Sequence, residues 1–234
     1  MAFRSTDVMR FYWGGYDPGT AAIQIRANLG VLALDPTVIG DLGETRIAGI
    51  RSDQMTYTAL FDNSTGGFDA AAASLMGSGE QVASIYIGTS TGDIAYCGIA
   101  HLFDAPVPIA VKDLVRQEAT YQPNTLFQRA AVLANKRAAS GSGNTGSSDN
   151  STLTGNGGTM YVHVFNYVAA GTITLQDSAD GTTFAAVTNM SYAVSGTGAT
   201  AIGTSGTLRR YRRFIETTGS FTYAGAVSPK HPAA

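Results

Sequence analysis

The segment Gln81–Asp104, QVASIYIGTSTGDIAYCGIAHLFD, decides how the rest of the chain is read. Two runs rich in β-branched and aromatic residues, Val82–Ile87 and Ile94–Leu102, flank the Gly/Ser/Thr stretch Gly88–Gly92. Strand side chains alternate between two faces, and a short glycine-bearing break lets the chain reverse, so the segment predicts an antiparallel hairpin. Cys97, in the apolar setting DIAYCGIA, reads as a buried strand thiol, with a nucleophile as the alternative. As the sole cysteine it can form neither an intramolecular disulfide nor a multi-cysteine metal site.

The same texture extends outward. AAIQIRANLG puts Ile23 and Ile25 on one face, with Gln24 and Arg26 on the other. TRIAGIRSDQMTYTALFD reads as a strand pair: one piece closes at Ile47, Gly49–Asp53 turn the chain, and Met55, Tyr57 and Ala59 share a face of the second. VPIAVKDLVRQEATYQ alternates Ile109, Val111 and Val115 with Lys112, Asp113 and Arg116. Only GGFDAAAASLMGSGE breaks the two-residue period. There Phe68, Ala72, Leu75 and Met76 recur at helical spacing, Asp69 lies in the first turn and Gly77 is placed to stop the helix. So short a helix must pack on the sheet to form at all.

Near Pro123 the composition changes. Ala139–Thr159, ASGSGNTGSSDNSTLTGNGGT, holds one charged residue, Asp149, and reads as a flexible linker or a long surface loop. Beyond it, MYVHVFNYV, GTITLQDSADGTTFAAV and SGTLRRYRRFIETTGSFTYAGAV read as strands, with Ser178–Gly181 as a hairpin turn. The prediction is an all-β chain with one short helix: a first domain over residues 1–123 and a β-sandwich over 124–234. Residues 139–159 then either join the domains or lie between the first strands of the second.

Signs of chemistry are few. His101, His163 and His231 lack ligand-like spacing, and His163 in YVHVF reads as a strand side chain with a satisfied hydrogen bond. GTGATA (196–201) fits a loose phosphate-loop pattern but no amphipathic helix follows it. Asp35, Asp41 and Glu44 cluster too loosely for a calcium loop. These readings predict no enzyme, cofactor or metal. No secretory signal or apolar run of about 20 residues is evident, which predicts synthesis in a cytoplasm and no membrane span. Charged residues make up 14%, well below the usual ~25%, which suits either a surface hidden against other copies or a plain Thr/Gly-rich β protein. The formal charge of −2 argues against a dedicated DNA binder.

One cluster stands out against that background: Arg209, Arg210, Arg212 and Arg213 in LRRYRRFIETTG. As a strand it puts arginines on both faces. That leaves three readings: a phosphate-binding stripe, an edge whose arginines pair with a neighbouring subunit or domain edge, or a solvated end whose charges blunt aggregation.

Taken together, the two halves resemble a known family. GDLGETRIAGIRSDQMTYTALFD (Gly40–Asp62), GGYDPG, the Ala-rich helix and LFDAPVPIAVKDLVRQEATYQ resemble the tail tube (major tail) proteins of long non-contractile-tailed phages. GGTMYVHV, ITLQDSADGTTF and GTLRRYRRFIETTGSFTYAGAV resemble a β-sandwich module joined to such proteins in actinobacterial phages. The resemblance implies a tail-tube-type sandwich or barrel domain, plus an outer sandwich. It further implies hexameric rings stacked into a tube in the virion tail, around a tape measure protein, with terminator and baseplate proteins at the ends. DNA passes through such a tube without specific binding. Asp41, Glu44 and Arg46 would then belong to an assembly loop. The alternatives are another tail or capsid-surface decoration protein carrying the module, or a sugar-binding sandwich using Tyr161, Tyr167, Tyr192, Tyr211 and Tyr223.

Overall fold

A computed structural model describes residues 9–18, 22–34, 47–61, 68–77, 79–106, 115–124, 126–151 and 153–229, without the side chains of 31–34 and 47–51. Its elements are β1 (Met9–Trp13), β2 (Ala22–Leu34), β3 (Ile47–Leu60), α1 (Phe68–Leu75), β4 (Gln81–Ile87), β5 (Ile94–Asp104), β6 (Arg116–Pro123) and β7 (Gln128–Ser140). There follow β8 (Gly143–Asn144), β9 (Ser148–Asp149), β10 (Gly158–Ala169), β11 (Gly171–Ser178), β12 (Ala185–Val194), β13 (Gly198–Thr204), β14 (Tyr211–Thr217) and β15 (Ser220–Pro229). The fold is all-β with a short helix, as the alternation predicts. The strands form two sheets, and neither closes into a barrel among the described residues.

The larger sheet runs β13-β10-β15-β7-β5-β6-β3-β2, with β4 beside β5 and β1 beside β4. β7 makes it continuous. Its first residues, Gln128–Ala131, pair with β5, and from Ala131 onward it pairs with β15. The smaller sheet is β12-β11-β14, with β8 and β9 both on β14. Between the sheets lies an apolar core that includes Leu133, Val162, Leu175, Phe214 and Val227. A second core under the first half joins Phe11, Trp13, Tyr57, Phe68 and Tyr121.

The predicted hairpin forms as β4 and β5, in register from Gln81↔Ala100 to Ile87↔Ile94. Positive φ at Gly88 and Gly92 reverses the chain, and the Asp93 carboxylate accepts the Ser90 amide at 2.9 Å. The helix also forms. It packs Phe68 and Ala72 into the second core and ends in Gly77 at φ 76°. The turn at Ser178–Gly181 forms with Gly181 at φ 75°.

Two local readings change. Gly49–Asp53 do not turn the chain; they lie within the single strand β3, which pairs with β2 on both sides of a register shift. A register shift sets Ala48–Arg51 against Val31–Ala33, so Gly49 marks a bulge, a position glycine signals as readily as a turn. A second shift, between Ala22 and Gln24, leaves Ile23 as the extra residue and flips the alternation. Ile25 and Ala27 pack on the core, whereas Ile23 is 50% exposed. Met55, Tyr57 and Ala59 share a buried face as predicted.

The Gly/Ser-rich stretch lies between β7 and β10. It is no free linker: β8 and β9 hydrogen-bond to β14, and the Thr145 hydroxyl accepts the Phe214 amide at 2.9 Å.

The bulge makes a direct prediction. Ile23→Ser should change unfolding free energy by less than about 0.5 kcal/mol, as for exposed sites generally. Ile25→Ser, on the core face, should cost about 1–2 kcal/mol in urea denaturation. Equal effects would mean that the bulge is misplaced.

Candidate functional site

The arginine cluster does not form a stripe. Tyr211 opens β14, so Arg209 and Arg210 precede the strand, where Leu208 bridges Thr154. Arg210 is exposed and grips Asp149 bidentately, Nε to Oδ1 at 2.7 Å and Nη2 to Oδ2 at 2.6 Å, with its guanidinium 5.0 Å from the Tyr211 ring centre. This pairing, with the Ser151 amide on Oδ1, holds the Asp149 carboxyl at about 2. Arg213 lies over the Phe184 ring and donates to Gln176 Oε1 at 3.0 Å. The Arg209 amide donates to the buried Asp177 carboxylate at 2.8 Å, while its side chain is exposed. Arg212 is turned inward and buried, and loss of water lowers its pKa. Asp41, Glu44 and Arg46 lie outside the described residues, as does His231.

β14 carries a second inward charge. Glu216 is 1% exposed. It accepts the Tyr223 hydroxyl at 2.6 Å and both Nε and Nη2 of Arg137, so its charge is paired and hydrogen-bonded. The sequence gives no sign of this triad, because its members are 79 and 7 residues apart and meet only through sheet register.

A further polar cluster joins the two halves of the chain, and of its members the sequence singles out His163 and Cys97. His163 is fully buried on β10. Its Nδ1 lies 2.8 Å from the Gly14 carbonyl and its Nε2 lies 2.8 Å from Ser84 Oγ. A carbonyl can only accept, so Nδ1 carries the proton and donates, and Nε2 accepts from the Ser84 hydroxyl. The Cys97 thiol hydrogen-bonds Ser84 in turn. Around this chain, Tyr12 donates to Asn135 Oδ1, and Lys136 Nζ meets Asp17 Oδ2 at 2.5 Å. Asn135 and Lys136 sit in a register shift of β7, with Lys136 at φ 48°. The bulge aims Asn135 at Tyr12 of β1 and Lys136 at Asp17 in the loop after it. A Cβ on Gly15 would sit 2.6 Å from the Gly198 amide, so only glycine permits this approach of β13.

A Ser, a His and a Cys in one hydrogen-bonded chain resemble a nucleophilic site, but their environment opposes that chemistry. Burial pushes the Cys97 thiol up to about 12 and His163 down to about 4. A working Cys–His pair needs the reverse, a thiolate beside a basic imidazole. With no exposure at Cys97 or His163, the arrangement acts as a tie. Among the described residues no three His, Cys, Asp or Glu side chains gather in a way that could hold a metal.

Of the five tyrosines of the sugar-platform reading, Tyr161 and Tyr223 are core residues and offer no surface, Tyr167 and Tyr192 are partly buried against the core between the sheets, and Tyr211 is half-buried at the start of β14. Among the described residues no helix is long and apolar enough to cross a membrane.

No family model matches the chain, and no curated protein matches it. Solved structures do. The tail of an empty gene transfer agent particle, solved with C6 helical symmetry, is 12% identical over 54% of this chain and 97% of its own, at TM-score 0.41. The SPP1 Dit protein, a hub of the adsorption apparatus in phages of Gram-positive hosts, is 11% identical over 96% of this chain and 100% of its own, at TM-score 0.37. A chain of the activated phage p2 baseplate is 10% identical over 96% of this chain and 99% of its own, at TM-score 0.38. These similar structures are parts of phage and gene transfer agent particles. At such scores they carry no argument for this chain's function.

The His163 tie has a signed pH dependence. Burial lowers its folded pKa to about 4, below the ordinary histidine value of 6.5, so protonation favours the unfolded chain. Its stabilising contribution is complete above about pH 6.5 and is lost as pH falls toward 4. That loss amounts to at most ~3 kcal/mol. Urea midpoints measured from pH 7 to 4 should fall in this window, and His163→Gln should flatten that limb. An unchanged slope would refute the role.

Proposed function

We propose that this chain is a structural virion protein, the tail tube subunit of a long non-contractile-tailed phage. In this reading residues 1–123 form hexameric rings that stack into a tube, and residues 124–234 decorate the outside. The tube would enclose a tape measure protein, end in terminator and baseplate proteins, and later conduct DNA. The resemblance of Gly40–Asp62 and of the second half suggests the family.

The observation that carries the assembly reading is the bare edge of β2. This strand of 13 residues closes one end of the large sheet, and among the described residues it pairs only with β3. Ile23 and Leu29 are 50% and 44% exposed along it. A long edge with unpaired backbone groups and apolar side chains favours pairing with another chain, and ring closure removes such edges. Stacking contacts between rings are heterologous, as an open-ended tube requires.

A slightly acidic chain suits a conduit, since phosphate neutralisation would retain passing DNA. Of the four arginines of the cluster, Arg210, Arg212 and Arg213 engage partners within the chain or are buried. This leaves the exposed Arg209 side chain as the one best placed for a neighbouring copy.

Negative-stain electron microscopy of the purified chain should show rings or tubes of uniform diameter. Ile23→Lys combined with Leu29→Lys should leave a folded monomer by light scattering and circular dichroism. A wild-type chain that stays monomeric when concentrated in salt would overturn the reading.

A further inference from the structure

Arg212 differs from the other arginines of its segment. It is 1% exposed, on the inward face of β14 that otherwise carries Phe214 and Glu216. Its Nε donates to the Arg209 carbonyl at 3.0 Å, while Nη1 and Nη2 have no hydrogen-bond partner. Asp177, opposite Arg212 across the β11–β14 pair, attracts this charge. Its Oδ2, however, is already engaged by the Arg209 amide. A guanidinium is a planar fork of donors that stays charged, so two buried, unpaired nitrogens create a strong demand for an acceptor.

The surroundings have the shape and sign to supply one. Arg212 lines a cleft of about 360 Å³ between the two sheets. Arg129 of β7 lines it as well, with an exposed side chain, together with Asn150, Ser151 and Thr154 on the opposite wall. The one acidic lining residue, Asp149, has both carboxylate oxygens held by Arg210. The charge of Asp149 is therefore matched, and Arg129 and Arg212 give the cleft an excess of positive charge.

We propose that this cleft binds an oxyanion, a carboxylate or phosphate group. Two of its oxygens engage Nη1 and Nη2 of Arg212, and Arg129 completes the charge at the mouth. Planar bidentate pairing is the geometry that guanidinium favours for both groups. Bound there, the anion bridges β14 to β7 and ties the small sheet to the large one. Its source is either a free ion or an acidic side chain of a second copy of this chain.

The probe is inorganic phosphate, titrated into the whole chain at ionic strength held constant with sodium chloride. The thermal midpoint should rise saturably, and the Arg212 Nε–Hε resonance should shift with the same midpoint concentration. Arg129→Gln should weaken the phosphate affinity roughly tenfold, the value of one charge-assisted hydrogen bond. Arg212→Met should abolish the phosphate dependence; if that variant does not fold, Arg129→Gln and the resonance decide the matter. A flat titration, or an equal response to chloride, overturns the proposal. Sedimentation at rising protein concentration separates the sources. Phosphate that reduces self-association identifies the natural group as a carboxylate of a second copy. Phosphate that binds without that effect identifies it as a free ion.

Discussion

The arrangement of the halves depends on one buried side chain, His163, whose two nitrogens are both committed. One donates to the loop that follows β1 and the other accepts from β4, so a single ring on β10 fixes two elements of the first half. The alternative to those bonds is an unpaired polar atom with no water nearby, at a cost of about 1–3 kcal/mol for each group. That penalty, more than the strength of either bond, makes the geometry specific. The tie also explains the glycine at position 15: β13 can approach only where no Cβ intervenes. The β7 bulge serves the same end, turning Asn135 and Lys136 toward Tyr12 and Asp17.

Charge is handled differently in the small sheet. On its inward face β14 presents Arg212, Phe214 and Glu216, with the apolar residue between two charges. Glu216 is fully engaged, by a guanidinium and a phenol, so its desolvation is offset by direct bonds. Arg212 has an attractive neighbour in Asp177 but incomplete hydrogen bonding. Outside, the Arg210–Asp149 pair is bidentate but solvated, and exposed pairs contribute only about 0–1 kcal/mol. Its value is positional, since it holds the loop after β9 against the start of β14.

What was legible in the sequence follows the range of the forces involved. The β4–β5 hairpin and α1 could be read because alternation, helical spacing and glycine placement are local. The bulges in β2 and β3 could not. Gly49 carries the same mark for a bulge as for a turn, and only pairing with Val31–Ala33 distinguishes them. Ile23 misleads for a related reason: one extra residue reverses which side chains face the core. The Gly/Ser-rich stretch looked unconstrained because its structure comes from β14, some 60 residues away. Of the arginines, the sequence showed that both faces of the strand carried charge. It could not show which one turns inward, because that follows from where β14 begins: Arg210 precedes the strand, while Arg212 shares its inward face with Phe214 and Glu216.

The ends of the large sheet are not treated alike. At one end β13 lies against β4, beside the Gly15–Gly198 approach and the His163 tie. β1 is likewise bound in, through the Gly14 carbonyl and the buried rings of Tyr12 and Trp13. At the other end β2 presents 13 residues of backbone with no such cover among the described residues. Native sheets blunt such an edge with short strands, lysines or prolines. Over Ala22–Leu34 the sequence AIQIRANLGVLAL has no lysine, no proline and a single arginine, Arg26. In the proposed assembly, pairing between copies falls to the β2 edge, where, among the described residues, the bulge that exposes Ile23 adds apolar surface.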